Sequence, residues 1–254
     1  MDHIGEFFPD SPIWFRWLGR LAAPLFFYAL AVGFQHTRNR KKYLLRLYLA
    51  NVGMVFFNQI MCMLQRKLDY VAYQPKNHNI FTTLFCAGVL ICIWENRKEK
   101  KKFFTYIGIY IFWQAMLIKL AILVETYDYL WYGNARLETV LRTDYIFPLL
   151  GGIWDVEGGV FFIALGVCLY CAVEDRWKLT LYYILFCGTY LLMCEGDILY
   201  RIMNRFSFWG YHKLADIIYV GSWSTGIPLG TSDLSLLTEF YQWMMIGALP
   251  IMLS

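Results

Sequence analysis

Residues 79–124 read NIFTTLFCAGVLICIWENRKEKKKFFTYIGIYIFWQAMLIKLAILV. Two apolar runs, 79–95 and 103–124, are separated by a turn carrying Arg97, Lys98, Lys100, Lys101 and Lys102. A helix crosses a bilayer with ~20 mainly apolar residues. Each run is about that long, and the cations between them are the kind of charge that stays on the cytoplasmic face. The segment therefore predicts two spanning α-helices joined by a short cytoplasmic turn.

The rest of the chain repeats the pattern. Further apolar stretches lie at 18–36, 43–64, 158–173, 178–194 and 237–253, with a weaker one near 145–153. The composition agrees: 59% of the 254 residues are hydrophobic and 17% are charged, and mean hydropathy is +0.43. A soluble domain averages about 45–50% apolar and about 25% charged residues. The expected fold is an all-α integral membrane protein, a bundle of about seven to nine transmembrane helices. Residues 1–254 are expected to form a single membrane-embedded domain that lacks residues at both ends, because the stretch ahead of Pro9 is too short to span a membrane and Leu253-Ser254 closes a helix without a basic anchor.

Basic residues recur at every second crossing: Arg38 to Arg46, Arg97 to Lys102, and Arg176 with Lys178. These loops are placed in the cytoplasm and the less basic segments 65–78, 125–144 and 195–236 outside. Tyr127, Tyr129, Trp131 and Tyr132 suit an outer aromatic belt. Segment 195–236, with Trp209, His212 and Trp223, is long enough for a lid or a re-entrant element. The net charge of +4 is dispersed among these anchors, so it is no nucleic-acid footprint. The seven cysteines lie almost wholly within apolar stretches at spacings that fit no zinc motif, and read as small core residues.

Polar groups that could carry chemistry are few. Asp2-His3 offers a base and its orienter, or an ordinary interfacial pair. Arg20, near the start of an apolar helix with Pro24 four residues on, either faces a cavity where the helix opens or snorkels to the interface. His36, Arg38, Arg40, Lys41, Lys42 and Arg46 form a tight basic hairpin. Its cations can hold the phosphates of a soluble cofactor, or they are topology anchors. His78 and Asn79 open an inward-running helix on the same outer side as His3 and Arg20, either as part of a site or as a cap. Lys119, Asp155, Glu157, Glu195, Asp197 and His212 are lesser candidates. No metal site is expected.

Taken in order, several of these motifs resemble the TraX family. They are Asp2-His3-Ile4-Gly5, then Gly19-Arg20 with Pro24, then His36-Thr37-Arg38-Asn39-Arg40 with Tyr43 and Arg46, then Asn79-Ile80-Phe81-Thr82-Thr83-Leu84. Tyr241-Gln242-Trp243 and the closing helix with Pro250 match as well. The family's named member acetylates the N-terminus of a conjugative pilin subunit, and the resemblance extends to the acyltransferase-3 group of membrane transferases. It implies an enzyme of the bacterial cytoplasmic membrane that moves an acetyl group from acetyl-CoA to an amine or hydroxyl of a peptide or glycan. In this reading His3 is the base, tuned by Asp2, while Arg20, His78 or Asn79 steadies the oxyanion. The basic hairpin holds the phosphates of the acyl-CoA. The partners are then the lipid bilayer, the acyl-CoA and the acceptor. Two other classes stay open: a small-molecule transporter using the same polar groups, and a non-catalytic membrane assembly factor.

Overall fold

A computed structural model describes residues 12, 14–67, 79–131, 145–153, 156, 158–195, 198–212 and 244–254. Among these residues the chain is helical throughout. The α-helices are α1 (Trp14–His36), α2 (Arg40–Lys67), α3 (Ile80–Glu95), α4 (Lys100–Trp131), α5 (Phe147–Leu150), α6 (Gly159–Ala172), α7 (Arg176–Glu195), α8 (Ile198–Phe208) and α9 (Leu249–Leu253). Short 3₁₀ turns occupy Asn96–Lys98 and Met244–Ala248. The chain divides into two compact units, residues 37–157 and a unit built from 1–36 with 158–254.

The apolar runs 18–36, 43–64, 79–95, 103–124, 158–173 and 178–194 become helices, while the weaker 145–153 run yields a single turn and of the run 237–253 only Met244–Leu253 is described, as a 3₁₀ turn and a short helix. The basic run after Glu95 becomes the 3₁₀ turn, and Glu99 starts the next helix by accepting the Phe103 N–H at 3.0 Å. Two segments, Ile80–Lys98 and Lys100–Leu120, are long and apolar enough to cross a membrane. Leu21–His36 and Gly159–Ala172 are apolar but shorter. The expected set of seven to nine spans is thus met only in part among the described residues. The physical reason is visible in α2, whose charged ends and internal Asn51, Asn58 and Gln59 dilute its apolar content, and in α6, whose 14 residues reach about 21 Å.

In the unit formed by 1–36 and 158–254, α1 packs on α6 and on the Met244–Ala248 turn, α6 on α7, and α7 on α8. Phe27, Leu30, Ala31 and Phe34 line the buried side of α1. Phe27 meets Phe162 of α6, and Phe162 in turn meets Phe186 and Tyr190 of α7, with ring centroids 5.6 to 5.8 Å apart. α1 runs unbroken through Pro24. Because proline has no N–H, the Arg20 carbonyl lacks its usual intrahelical donor.

In unit 37–157, α2 packs on α3, α3 on α4, and α2 on α5. α3 is the central element, with Thr82, Thr83, Leu84, Cys86, Ala87, Gly88, Ile91 and Ile93 buried. On α4 most large apolar side chains are open, with Phe112 67% exposed. Leu117 joins Phe147 and Ile146 in a small apolar cluster.

Candidate functional site

The polar residues of unit 37–157 gather at two levels. The first is the basic end. Asn39 starts α2 by accepting the Lys42 N–H on its side-chain oxygen at 3.0 Å, the usual work of an N-cap. Arg40 donates through Nη1 to the Thr37 carbonyl at 2.6 Å and through Nε to both carboxylate oxygens of Glu95 at 3.1 and 3.3 Å. Nη2 closes on Glu95 Oε1 at 2.9 Å. The first residue of α2 is thereby tied to the last residue of α3. The hairpin cations and the Arg97–Lys102 turn consequently lie at one end of this unit. Arg38, Lys41, Lys42 and Arg46 are exposed, and among the described residues none has a carboxylate within ion-pair distance. Arg97 instead lies over the Trp94 ring, 5.2 Å from its centroid.

The second level is a buried knot of amides. Asn51 is 0% and Asn79 1% exposed. Asn79 Nδ2 donates to the Asn51 side-chain oxygen at 2.7 Å and to its backbone carbonyl at 3.2 Å. The Thr82 hydroxyl donates to the same Asn51 oxygen at 2.7 Å, and Asn51 Nδ2 donates to the Pro148 carbonyl at 2.6 Å. Asn79 Oδ1 is buried and has no hydrogen-bond partner among the described residues. This arrangement changes the role expected of Asn79. Both its amide hydrogens are engaged, so it has none to offer an oxyanion, and its open atom is an acceptor that suits an N–H or O–H. Asn79 stands at the N-cap position of α3 but makes no side-chain cap bond, so the capping alternative is not realised either.

Beside the knot, α5 and the residues after it are held through their carbonyls. Tyr48 OH donates to Leu149 O at 3.0 Å, Trp113 Nε1 to Leu150 O at 2.9 Å, and Gln114 Nε2 to Gly151 O at 3.0 Å. Gln114 Oε1 accepts the Ile153 N–H at 3.1 Å. The Cys86 thiol lies 3.5 Å from Gly151 O. Helix α5 ends in a left-handed cap, Gly151 at φ 68°, with Gly152 N–H bonded back to Phe147 O at 2.7 Å. A β-carbon on Gly152 would sit 2.8 Å from the Phe147 ring. One glycine is thus required by backbone angle and the other by space.

Of the remaining sequence candidates, Asp2, His3, His78, Asp155, Glu157 and Asp197 lie outside the described residues. Arg20 and Glu195 lie in α1 and α7, with their side chains outside the described set. His36 is the exposed last residue of α1, in the other unit. Lys119 is exposed on α4. His212 Nδ1 is 3.4 Å from the Ser207 hydroxyl. Among the described residues no group of His, Cys, Asp and Glu is placed to hold a metal ion. Sequence reasoning missed Asn51, Gln114, Tyr48 and Glu95. The signal for the first two was present: a lone amide in an apolar helix is costly to bury unless it is bonded.

A buried amide network and a cationic end, both held between helices, define an all-helical class rather than one chemistry. The sequence itself narrows it: the chain belongs to the TraX family, whose model, described as TraX protein, matches residues 1–143, more than half of its length. Neither the curated proteins nor the solved structures searched contain a match to it.

Proposed function

We propose that the protein spans a bacterial cytoplasmic membrane and transfers an acetyl group from acetyl-CoA to an amine or hydroxyl of a peptide or glycan. The observation that carries this reading is the cationic end of unit 37–157. Arg38, Lys41, Lys42 and Arg46 are exposed beside the Arg97–Lys102 turn, with Arg40 locked onto Glu95 behind them. Guanidinium and ammonium groups that, like Arg38, Lys41, Lys42 and Arg46, have no carboxylate partner among the described residues are suited to the phosphates of coenzyme A. Family membership supports the chemistry, and the open apolar faces of α2 and α4, with Phe56 at 59% and Phe104 at 66% exposure, support the bilayer as surrounding solvent.

In the proposed reaction the acceptor's nitrogen or oxygen attacks the thioester carbonyl carbon. The C–S bond breaks, and the proton leaving the acceptor passes through His3 to the departing thiolate. Asp2 tunes His3, and Arg20 or His78 steadies the oxyanion. Asn79 Oδ1 accepts a hydrogen bond from the acceptor or from an amide of the pantetheine arm.

The test is binding and transfer of labelled acetyl-CoA by the full chain in detergent. Neutralising Arg38, Lys41, Lys42 and Arg46 together is expected to weaken binding at least tenfold and to flatten its salt dependence. His3→Ala is expected to abolish transfer with binding intact. Unchanged affinity in the neutralised variant makes these residues topology anchors, and unchanged turnover in His3→Ala removes the proposed base.

A further inference from the structure

Helix α8 is short, but its sequence ILYRIMNRFSF separates two faces sharply. At 100° per residue, Met203, Phe206 and Ser207 fall on one side and are partly buried, Arg201, Asn204, Arg205 and Phe208 fall on the other and are exposed, and the exposed Tyr200 and Ile202 lie at the two edges between them. The helix packs on α7. Arg201 and Arg205 are one turn apart with Asn204 beside them. No Asp or Glu occurs between residues 198 and 212, and among the described residues neither arginine has a carboxylate partner. An open cavity of 490 Å³ runs along the helix, lined among the described residues by Tyr200, Arg201, Asn204 and Arg205 together with Ile198 and Ile202 at the edge of the basic face.

The end of the helix is aromatic. Phe208 is 87% and Trp209 57% exposed. Their neighbour Phe206 touches both Trp209 and Tyr211, with ring centroids 6.2 and 6.5 Å apart. The turn is made at Gly210, φ 82°. Basic groups on one face, with large amphipathic rings at one end, match the water–lipid boundary of an anionic membrane. Two guanidinium forks one turn apart suit the non-bridging oxygens of a phosphodiester.

We propose that α8 lies in the bilayer surface at the end of α7 and that Arg201, Asn204 and Arg205 hold the headgroup phosphate of an anionic phospholipid. The proposal rests on the membrane-spanning reading above and is independent of acyl transfer.

The full chain is reconstituted into phosphatidylcholine vesicles with and without phosphatidylglycerol. Lipid retained after a delipidating detergent wash is then counted by native mass spectrometry. Wild type is expected to retain phosphatidylglycerol over phosphatidylcholine. Each arginine replaced by glutamine is expected to lower that retention about fivefold, with R201K/R205K keeping most of it. Brominated phosphatidylglycerol is expected to quench a fluorescence component that W209F removes. Equal retention of phosphatidylglycerol by wild type and R201Q/R205Q, or absence of the quenched component, overturns the proposal. So does loss of binding to a peptide acceptor in R201Q/R205Q with lipid retention unchanged, which would make the face an acceptor dock. Release of the protein from native membranes by alkaline carbonate is a separate result, overturning the membrane-spanning reading itself.

Discussion

Asn51 and Asn79, 28 positions apart, meet inside unit 37–157 with the Asn79 amide nitrogen 2.7 Å from the Asn51 side-chain oxygen. Asn51 sits at the centre of the knot, since the same side chain also accepts from Thr82 and donates to Pro148. Removing it leaves the Thr82 hydroxyl and one Asn79 amide hydrogen without their acceptor and takes from the Pro148 carbonyl its shorter-range donor, in a buried setting. Each stranded group costs about 1–3 kcal/mol, with losses that do not add fully. Asn51→Ala is therefore expected to lower stability by about 3 kcal/mol in denaturant titration of the detergent-solubilised protein. Thr82→Val, which removes one donor, should lower it by about 1 kcal/mol.

Arg40 and Glu95 close the cationic end and are only partly exposed, 31% and 26% for their side chains. A double-mutant cycle with Arg40→Gln and Glu95→Gln should give a coupling of about 1 kcal/mol, because the pair is forked but partly wet. Arg40→Gln should lose more alone than Glu95→Gln, since it also releases the Thr37 carbonyl. Equal single losses would mean that the Thr37 contact adds nothing.

Gly151 holds a left-handed angle that a β-carbon disfavours. Gly151→Ala is expected to destabilise by about 1–2 kcal/mol. Gly152→Ala should be at least as damaging, because it drives a methyl group into Phe147. Thermal unfolding followed by circular dichroism reads both.

Asp175 begins α7 by accepting the N–H groups of Trp177 and Lys178 at 3.0 and 3.2 Å and pairing with the Lys178 ammonium at 3.2 Å. The bonds from Lys178, backbone first and then ammonium, hold its carboxyl below the usual aspartate range. A carboxyl lowered on folding contributes stability that is complete above its unfolded pKa and is lost as pH falls through its folded pKa. The stability–pH curve should therefore decline on the acid side, and less steeply in Asp175→Asn, which keeps an N-cap oxygen but does not titrate. Matching slopes for the two proteins would show that Asp175 does not contribute to the acid limb.

Much of the helical plan is legible in the sequence. The run 79–95 ends where the cations begin and the run 103–124 starts where they stop, and the structure turns at Asn96–Lys98 as that spacing requires. The shared end of the two basic turns is also legible in charge placement, although the contact that makes it, Arg40 to Glu95, is not. Pairing across 55 positions leaves no periodic trace. The weak stretch at 145–153 is visible but ambiguous. Pro148 and the Gly151-Gly152 pair cap a single turn, and only tertiary partners decide the path of the chain beyond it. Asn51 and Gln114 are visible in the sequence as lone amides in apolar runs, but their distant partners, Asn79, Thr82 and Pro148 for one and Gly151 and Ile153 for the other, are not. For Asn79 the sequence marks a polar residue at the start of α3, but not that its amide nitrogen is bonded to Asn51 while its side-chain oxygen has no partner among the described residues.

The carbonyls of residues 148–151 have consequences for assembly. Their donors come from α2 and from α4, which the ribosome makes earlier. Phe147–Leu150 is too short to satisfy its own backbone, so it has nowhere to settle until those helices stand together. Docking of this single turn is thus a late, order-dependent event in biogenesis. Damage to Tyr48, Asn51, Trp113 or Gln114 should be met first by quality-control proteases, as a nascent chain that never closes.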